Sequence, residues 1–461
     1  MLHLALPLVA GQLASIGMMF TDTVMAGRLS ALTLAGVALG GSIFTPLILF
    51  SVGTLLVVSP FVAQYNGAGE RDQVARLVHQ AIYLGVLLAV GVIVVCFNAG
   101  LLLHWMGVDA EIIPVAEAYL RYMAFGAIGL CIYSVLRFTS EGLSLTRPTL
   151  GFALFGMLLN IPFNYAFMYG AWGFPAMGAA GCGLASALVF ALNAVGMAFY
   201  LHWRHHYRDI AVFRAWSAPD PALLRRLIVV GMPLGVSLFL EGTLFSAVTL
   251  FVGSFGAEVV AANQVGLSVT HMVFMVPLGI GLAVTVRVGT ELGRRDLPAM
   301  ATAAHTGMAV VFAIQLLIAA VLVLFRHPIV GIYSDNPEVI ALASSLLLIA
   351  AIYQLPDGMQ MVSSGALRGL KDTRRPMYML IIAYWGVGIP SGYLMGSVLG
   401  LGVHGYWLGL VVGLSAAACC LFFRFHYLLG QMRRGQRPVG PIDDALPAID
   451  DPATSKRLTR R

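Results

Sequence analysis

Charge is scarce in this sequence: Asp, Glu, Lys and Arg make up 10% of its 461 residues, whereas 59% are hydrophobic. Soluble domains carry roughly 25% charged residues, so a water-facing surface cannot be assembled from this composition. Helices facing hydrocarbon need no such surface. Cysteine is scarce as well. Cys96, Cys131, Cys182, Cys419 and Cys420 all fall inside apolar runs and lack metal-ligand spacing, so there is no disulfide framework to argue from. No G-x-x-x-x-G-K-S/T phosphate loop is present, which removes direct ATP coupling within the chain. No nucleophile–base constellation stands out either, so neither an enzyme nor a cofactor is expected. The start of the chain lacks a basic segment and a cleavage site before its first apolar run, and that run is expected to stay in the mature protein.

Long apolar runs are what the sequence has in abundance. A membrane-spanning helix needs about 20 mostly apolar residues. Twelve such runs lie at about 3–25, 35–64, 76–104, 114–140, 148–170, 177–203, 223–252, 259–290, 299–325, 338–366, 376–398 and 402–429. They are far longer than the ten or so residues of a barrel strand. The predicted fold is an all-α integral membrane protein with twelve transmembrane helices in two six-helix bundles. Residues 1–203 form the first bundle, 204–222 a cytoplasmic linker and 223–429 the second bundle. Residues 430–461, with few apolar side chains, read as a disordered cytoplasmic tail.

Basic residues orient these helices. The connections after the second, fourth, sixth, eighth and tenth runs carry Arg71 and Arg76; Arg147; Arg204, Arg208, Arg214, Arg225 and Arg226; Arg294 and Arg295; and Arg368, Lys371, Arg374 and Arg375. The alternate connections hold little beyond Arg28 and Arg326. By the positive-inside rule, the basic loops and both termini are cytoplasmic. Orientation accounts for the net charge of +6, so no nucleic-acid partner is expected.

The two halves match at a shift of about 224 to 228 residues. Pro7-Leu8 corresponds to Pro233-Leu234, Arg147-Pro148 to Arg375-Pro376, Asn160-Ile161-Pro162 to Gly388-Ile389-Pro390, and Asn164-Tyr165 to Gly392-Tyr393. An even number of helices per repeat makes the repeats parallel, with a cleft between two bundles that can rock against each other. Pro162 and Pro390, with Asn160 and Asn164 beside the first, are candidates for paired helix breaks near a substrate cavity. A tolerated packing kink is the other reading. Gly388, Gly392, Gly396 and Gly400 form a small-residue stripe suited to close helix packing.

Three acids lie inside apolar runs: Asp22, Glu241 and Asp357. A carboxylate in the bilayer is costly unless it faces a polar interior, pairs, or binds a proton or cation. No Lys or Arg lies close to Glu241 or Asp357 in sequence. Each acid either serves a cation or proton, as a cation-coupled transporter requires, or bonds an amide or hydroxyl on a neighbouring helix. Glu141 with Arg137, and Glu291 with Arg287, read as local pairs one helical turn apart. His271 reads as hydrogen-bonded packing or a proton shuttle.

Several stretches together resemble the multidrug and toxic compound extrusion (MATE) family, in its bacterial NorM-type branch. They are Leu6-Pro7-Leu8 with Gln12, Asp22-Thr23-Val24-Met25-Ala26-Gly27, Glu241-Gly242-Thr243-Leu244-Phe245, Val260-Ala261-Ala262-Asn263-Gln264, Pro277 with Arg287-Val288-Gly289, Tyr353-Gln354 with Asp357, and Gly365-Ala366-Leu367-Arg368-Gly369 with Lys371-Asp372. The resemblance implies a monomeric, multi-pass exporter of the cell inner membrane. It would move cationic, amphipathic drugs and dyes outward in exchange for Na+ or H+ by alternating access. It implies cation binding at Glu241 and Asp357, with Na+ as the metal, a transport role for Asp22, and Tyr353 and Cys182 near the cation site. The alternative within the wider superfamily is a lipid-linked oligosaccharide flippase, which would need a cationic cavity for a pyrophosphate headgroup.

Overall fold

Continuous apolar runs leave the backbone one way to satisfy its polar groups in lipid: hydrogen bonds within each segment. A computed structural model describes residues 2–105, 108–207, 209, 210, 212, 213 and 216–436. Among them no strand forms, and twelve helices are long and apolar enough to cross a membrane. These are α1 (His3–Leu29), α2 (Ala31–Ala68), α3 (Asp72–Phe97), α4 (Ile113–Gly142), α5 (Arg147–Tyr169), α6 (Ala179–Trp203), α7 (Pro221–Val252), α8 (Glu258–Gly293), α9 (Leu297–Gly331), α10 (Pro337–Gly369), α11 (Arg374–Val398) and α12 (Val403–Arg433). Most of the tail, residues 437–461, and linker residues 208, 211, 214 and 215 lie outside the described residues.

Local chemistry places the helix starts. Ser30, Asp220, Asp296 and Asn336 each accept a backbone N–H of the helix that follows them. In the last three a proline occupies the first turn, where its missing N–H costs nothing. Prolines deeper in the helices set the irregularities. In α2 the α-helical bonding lapses at Leu56 and Val57, because Pro60 has no N–H for the Leu56 carbonyl. The Ser59 N–H reaches that carbonyl instead, at 3.3 Å. In α9, Phe325 leaves helical geometry three residues before Pro328.

Three expectations need correction. The third run was expected to reach residue 104, but α3 stops at Phe97. A separate short helix, Ala99–Trp105, follows it. The side-chain amide of Asn98 donates to the Val94 carbonyl at 2.8 Å and closes the first helix. The paired breaks at Pro162 and Pro390 are not symmetric. Pro162 sits in an unbroken α-helix, whereas Pro390 lies between two π-helical stretches, Ile382–Gly388 and Leu394–Val398. Finally, Arg368 is not a loop residue, as described below.

The glycine stripe packs as expected over most of its length. Gly388, Gly392 and Gly396 of α11 meet Gly405, Gly409 and Gly413 of α12 backbone to backbone, while Gly400 stands in open space past the helix end. A Cβ on Gly409 would run into the Gly392 backbone, which cannot yield as a side chain can. Gly409→Val is expected to cost about 1–3 kcal/mol, read as a lowered melting temperature of the purified protein. Gly151→Val, where a Cβ meets nothing within 4 Å, is the matched control and should leave melting unchanged.

Helices of each half pack chiefly among themselves, and the halves meet through α1 and α2 against α7 and α8, the equivalent pairs of the two repeats. The linker is fastened to the first half. The Ser217 N–H donates to Nδ1 of buried His79 at 3.1 Å, Gln80 exchanges hydrogen bonds with Asp220 and Ala218, and Arg76 pairs with Asp220 at 2.8 Å. The backbone N–H of Leu223, then that of Ala222, and Arg76 hold the Asp220 carboxyl below the usual carboxylate range.

Candidate functional site

The two halves bury acids in different ways. In the first half, Asp22 of α1 sits in a cage of neutral donors. Asn164 of α5 donates to its Oδ1 at 2.6 Å, and Ser186 of α6 donates to Oδ2 at 3.0 Å. Asn164 also donates to Asn160 at 3.0 Å, and the Cys182 thiol bonds the same carboxylate. Asn160 and Asn164 are one turn apart on α5, as Cys182 and Ser186 are on α6, so two helices each present two polar groups to one acid. Such donors stabilise a buried carboxylate without a counter-charge.

In the second half the acids lack that shell. Asp357 of α10 is only 2% exposed, and its Oδ2 has no hydrogen-bond partner. Near it on α10 and α11, the Gln360 side chain and the Tyr384 hydroxyl are buried beside each other, and Tyr384 feels the charges of both acids. Glu241 of α7 lines a cavity with Ser237, Gln360, Met361, Ser364, Arg368 and Asp372. The charges of Glu241 and Asp357 act on each other and on Tyr353, which also bonds Thr270. This half therefore offers two carboxylates with amide and hydroxyl oxygens, the donor set that hard cations take. Among the described residues no three of His, Cys, Asp and Glu gather as a metal site, so a cation here would rely on those neutral oxygens.

Arg368 is the residue that sequence reasoning misplaced. It was expected in the cytoplasmic connection after the tenth helix, but it belongs to the last turn of α10 and is 4% exposed. No basic residue lies near Glu241 along the chain, yet Arg368 comes near it in space, since the two line one cavity. A signal was available: residues 353, 357, 360/361, 364 and 368 follow the three-to-four spacing of one helix face.

The other candidates fall as follows. Tyr353 joins Asp357, as expected. Cys182, expected near the cation site, belongs to the Asp22 cage in the first half, apart from Glu241 and Asp357. Asn160 and Asn164 are fully buried in that same cage. Ser186 was missed. Arg137 pairs with Glu141 at 2.7 Å, and Arg287 with Glu291 at 3.9 Å, as local pairs. His271 is exposed mid-helix.

Contacts between the halves gather at the end that carries the linker. The Gln64 side chain donates to the Gly369 carbonyl at 2.8 Å, and the Lys371 ammonium lies 3.6 Å from the Phe61 ring centroid. Gly289 packs on Ala63, Gly293 on the Gln64 backbone and Gly67 on the Thr290 backbone. The halves are sealed to each other at this end.

Two matched sets of helices long and apolar enough to cross a membrane, each burying acids, define a multi-pass membrane protein. The MatE family model matches the chain twice, over residues 7–166 and 233–394, so it finds the internal repeat independently. A probable multidrug resistance protein NorM from Shewanella oneidensis is 40% identical over 432 residues, covering 93% of this chain and 94% of that protein. The chain belongs to the MatE family, as a NorM-type MATE transporter. In fold it is similar to a multidrug resistance MATE family transporter of the MOP superfamily in an outward-facing conformation. That match has a TM-score of 0.85 at 21% identity and covers 94% of this chain and 95% of that one. It is also similar to a MOP superfamily transporter from Pyrococcus furiosus, with a TM-score of 0.83 at 22% identity over 93% and 95% of the two chains.

Proposed function

We propose that this protein is an antiporter of the cell inner membrane that exports cationic, amphipathic drugs and dyes in exchange for inward-moving Na+ or H+. The observation that carries this reading is the acid pair Glu241 and Asp357, whose charges act on each other, Glu241 lining a cavity and Asp357 buried with one oxygen unpartnered. Carboxylates at membrane depth favour cations, and an apolar, methionine-containing wall suits ligands of varied shape. The family membership and the NorM relative's description as a multidrug resistance protein support the same reading. In this scheme the basic, linker-bearing end and both termini face the cytoplasm. A drug cation enters from the cytoplasm or the inner leaflet, and the coupling cation binds at Glu241 and Asp357 from outside. Asp22 serves transport in the first half. Exchange requires only that drug and coupling cation prefer different conformations. The protein works as a monomer among membrane lipids, without a bound cofactor or nucleic acid.

Ethidium efflux from proteoliposomes under an imposed Na+ or H+ gradient tests this. Efflux driven by one gradient and not the other is the expected result, and the effective gradient names the ion. Folded protein that moves no ethidium under either gradient would sink the drug antiport reading and point to the lipid-linked flippase alternative.

A further inference from the structure

A buried arginine normally finds a carboxylate partner or costs stability. Arg368 does not follow that pattern. Its Nη2 has the Met361 thioether as acceptor at 3.7 Å, and its Nε has no partner. A cation in the last turn of a helix is favoured by the helix dipole and would ordinarily extend to water. Here the side chain instead runs back along α10 for two turns toward Met361, into the cavity that Glu241 lines. The other acid lining the cavity, Asp372, is already taken by Arg424 at 2.8 Å. Glu241 and Arg368 are thus opposite charges facing one cavity, and each acts on the other through it.

We propose that Arg368 is a tethered counter-charge for Glu241: a positioning residue whose guanidinium offsets the carboxylate's charge across the cavity without contacting it, and so competes with any cation that arrives. This inference rests on the reading of Glu241 as a cation site. The guanidinium makes no bidentate pair, so its charge and reach matter more than its planar shape. Competition weakens binding and speeds release, which an exchanger needs at every turnover. Removing the charge should therefore tighten binding and slow exchange together.

Equilibrium binding of radiolabelled tetraphenylphosphonium to the purified full chain in nanodiscs tests this. R368Q is expected to bind roughly tenfold tighter, the fold-change that about 1.4 kcal/mol of charge interaction gives. R368K, which keeps the charge, should restore the wild-type affinity. In an E241Q background the R368Q effect should disappear, a coupling that a merely structural role would not produce. R368M is a second neutral variant should R368Q melt early. Unchanged or weaker binding in a neutral variant with wild-type melting would overturn the proposal, as would an equal effect in the E241Q background. If wild type shows no gradient-driven efflux but the coupling to Glu241 is present, the antiport reading fails and this inference stands. Normal efflux without coupling has the reverse meaning, and no probe binding in any variant overturns both.

Discussion

Replacing Glu241 by Gln and Asp357 by Asn together is expected to bring gradient-driven ethidium efflux down to the leak rate of protein-free liposomes, a loss of about a hundredfold or more if each acid contributes the binding of a close charge pair. The physical basis is the asymmetry between the halves. Asp22 is held by Asn164 and Ser186, so much of its stabilisation comes from the protein itself. Asp357 keeps one oxygen unpartnered, and Glu241 faces a cavity. Carboxylates in that condition gain most from a cation, and amides of the same size cannot replace the charge. At Asp357 the fold should survive the exchange, because a neutral amide is cheaper to bury than a carboxylate without a partner, whereas Glu241→Gln leaves buried Arg368 without its counter-charge and costs stability. The expected result therefore includes a melting temperature at or above wild type for Asp357→Asn alone and a modest drop for the double variant. Full efflux by the double variant would remove both residues from the mechanism. Lost efflux with a sharply lowered melting temperature would instead mark them as structural.

The second large effect concerns the seal between the halves. Ala63 on α2 is fully buried, and a Cβ built on Gly289 of α8 would lie 3.0 Å from the Ala63 Cβ. A disulfide needs about 3.5–4.5 Å between these atoms, which a small backbone shift supplies. The chain's own cysteines must first be replaced, since Cys419 and Cys420 are exposed. In that background the double variant Ala63→Cys, Gly289→Cys should lose efflux on oxidation and regain it on reduction. Each single variant should be insensitive to oxidant. Rocking of one bundle against the other requires this end to part, and a covalent tie forbids it. Efflux that continues while the cross-link is complete would mean that the linker end need not open.

Much of this architecture is legible in the chain itself. Twelve runs of sufficient length give twelve spans, because in lipid a backbone segment must bond within itself wherever it lies. The duplication shows in Pro7-Leu8 and Pro233-Leu234, and the family model recovers it from the same two segments. The acids stand out in sequence because each lies well inside an apolar run whose other charges sit toward its ends. Boundaries are less legible. The lapse at Leu56 follows from Pro60 and could have been read, whereas the end of α3 at Phe97 depends on a side chain, Asn98, folding back on its own helix.

Partnership between helices is a different matter. Glycines at positions 388 and 392 match Asn160 and Asn164 in the repeat, yet one pair packs against α12 and the other holds an acid. The repeat could not show that equivalent positions had parted in role. Likewise the sequence left open which acid Cys182 would meet, and it put Arg368 in a loop. By itself the sequence determined the membrane class, the span count, the duplication and which residues carry charge at depth, because these follow from composition and period along one chain. The tertiary structure alone decided which acid is caged, which faces Arg368 across a cavity, and which end of the cleft is sealed. Those are meetings of side chains from helices far apart in sequence, and helical period says which face a residue occupies but not which neighbour that face will meet.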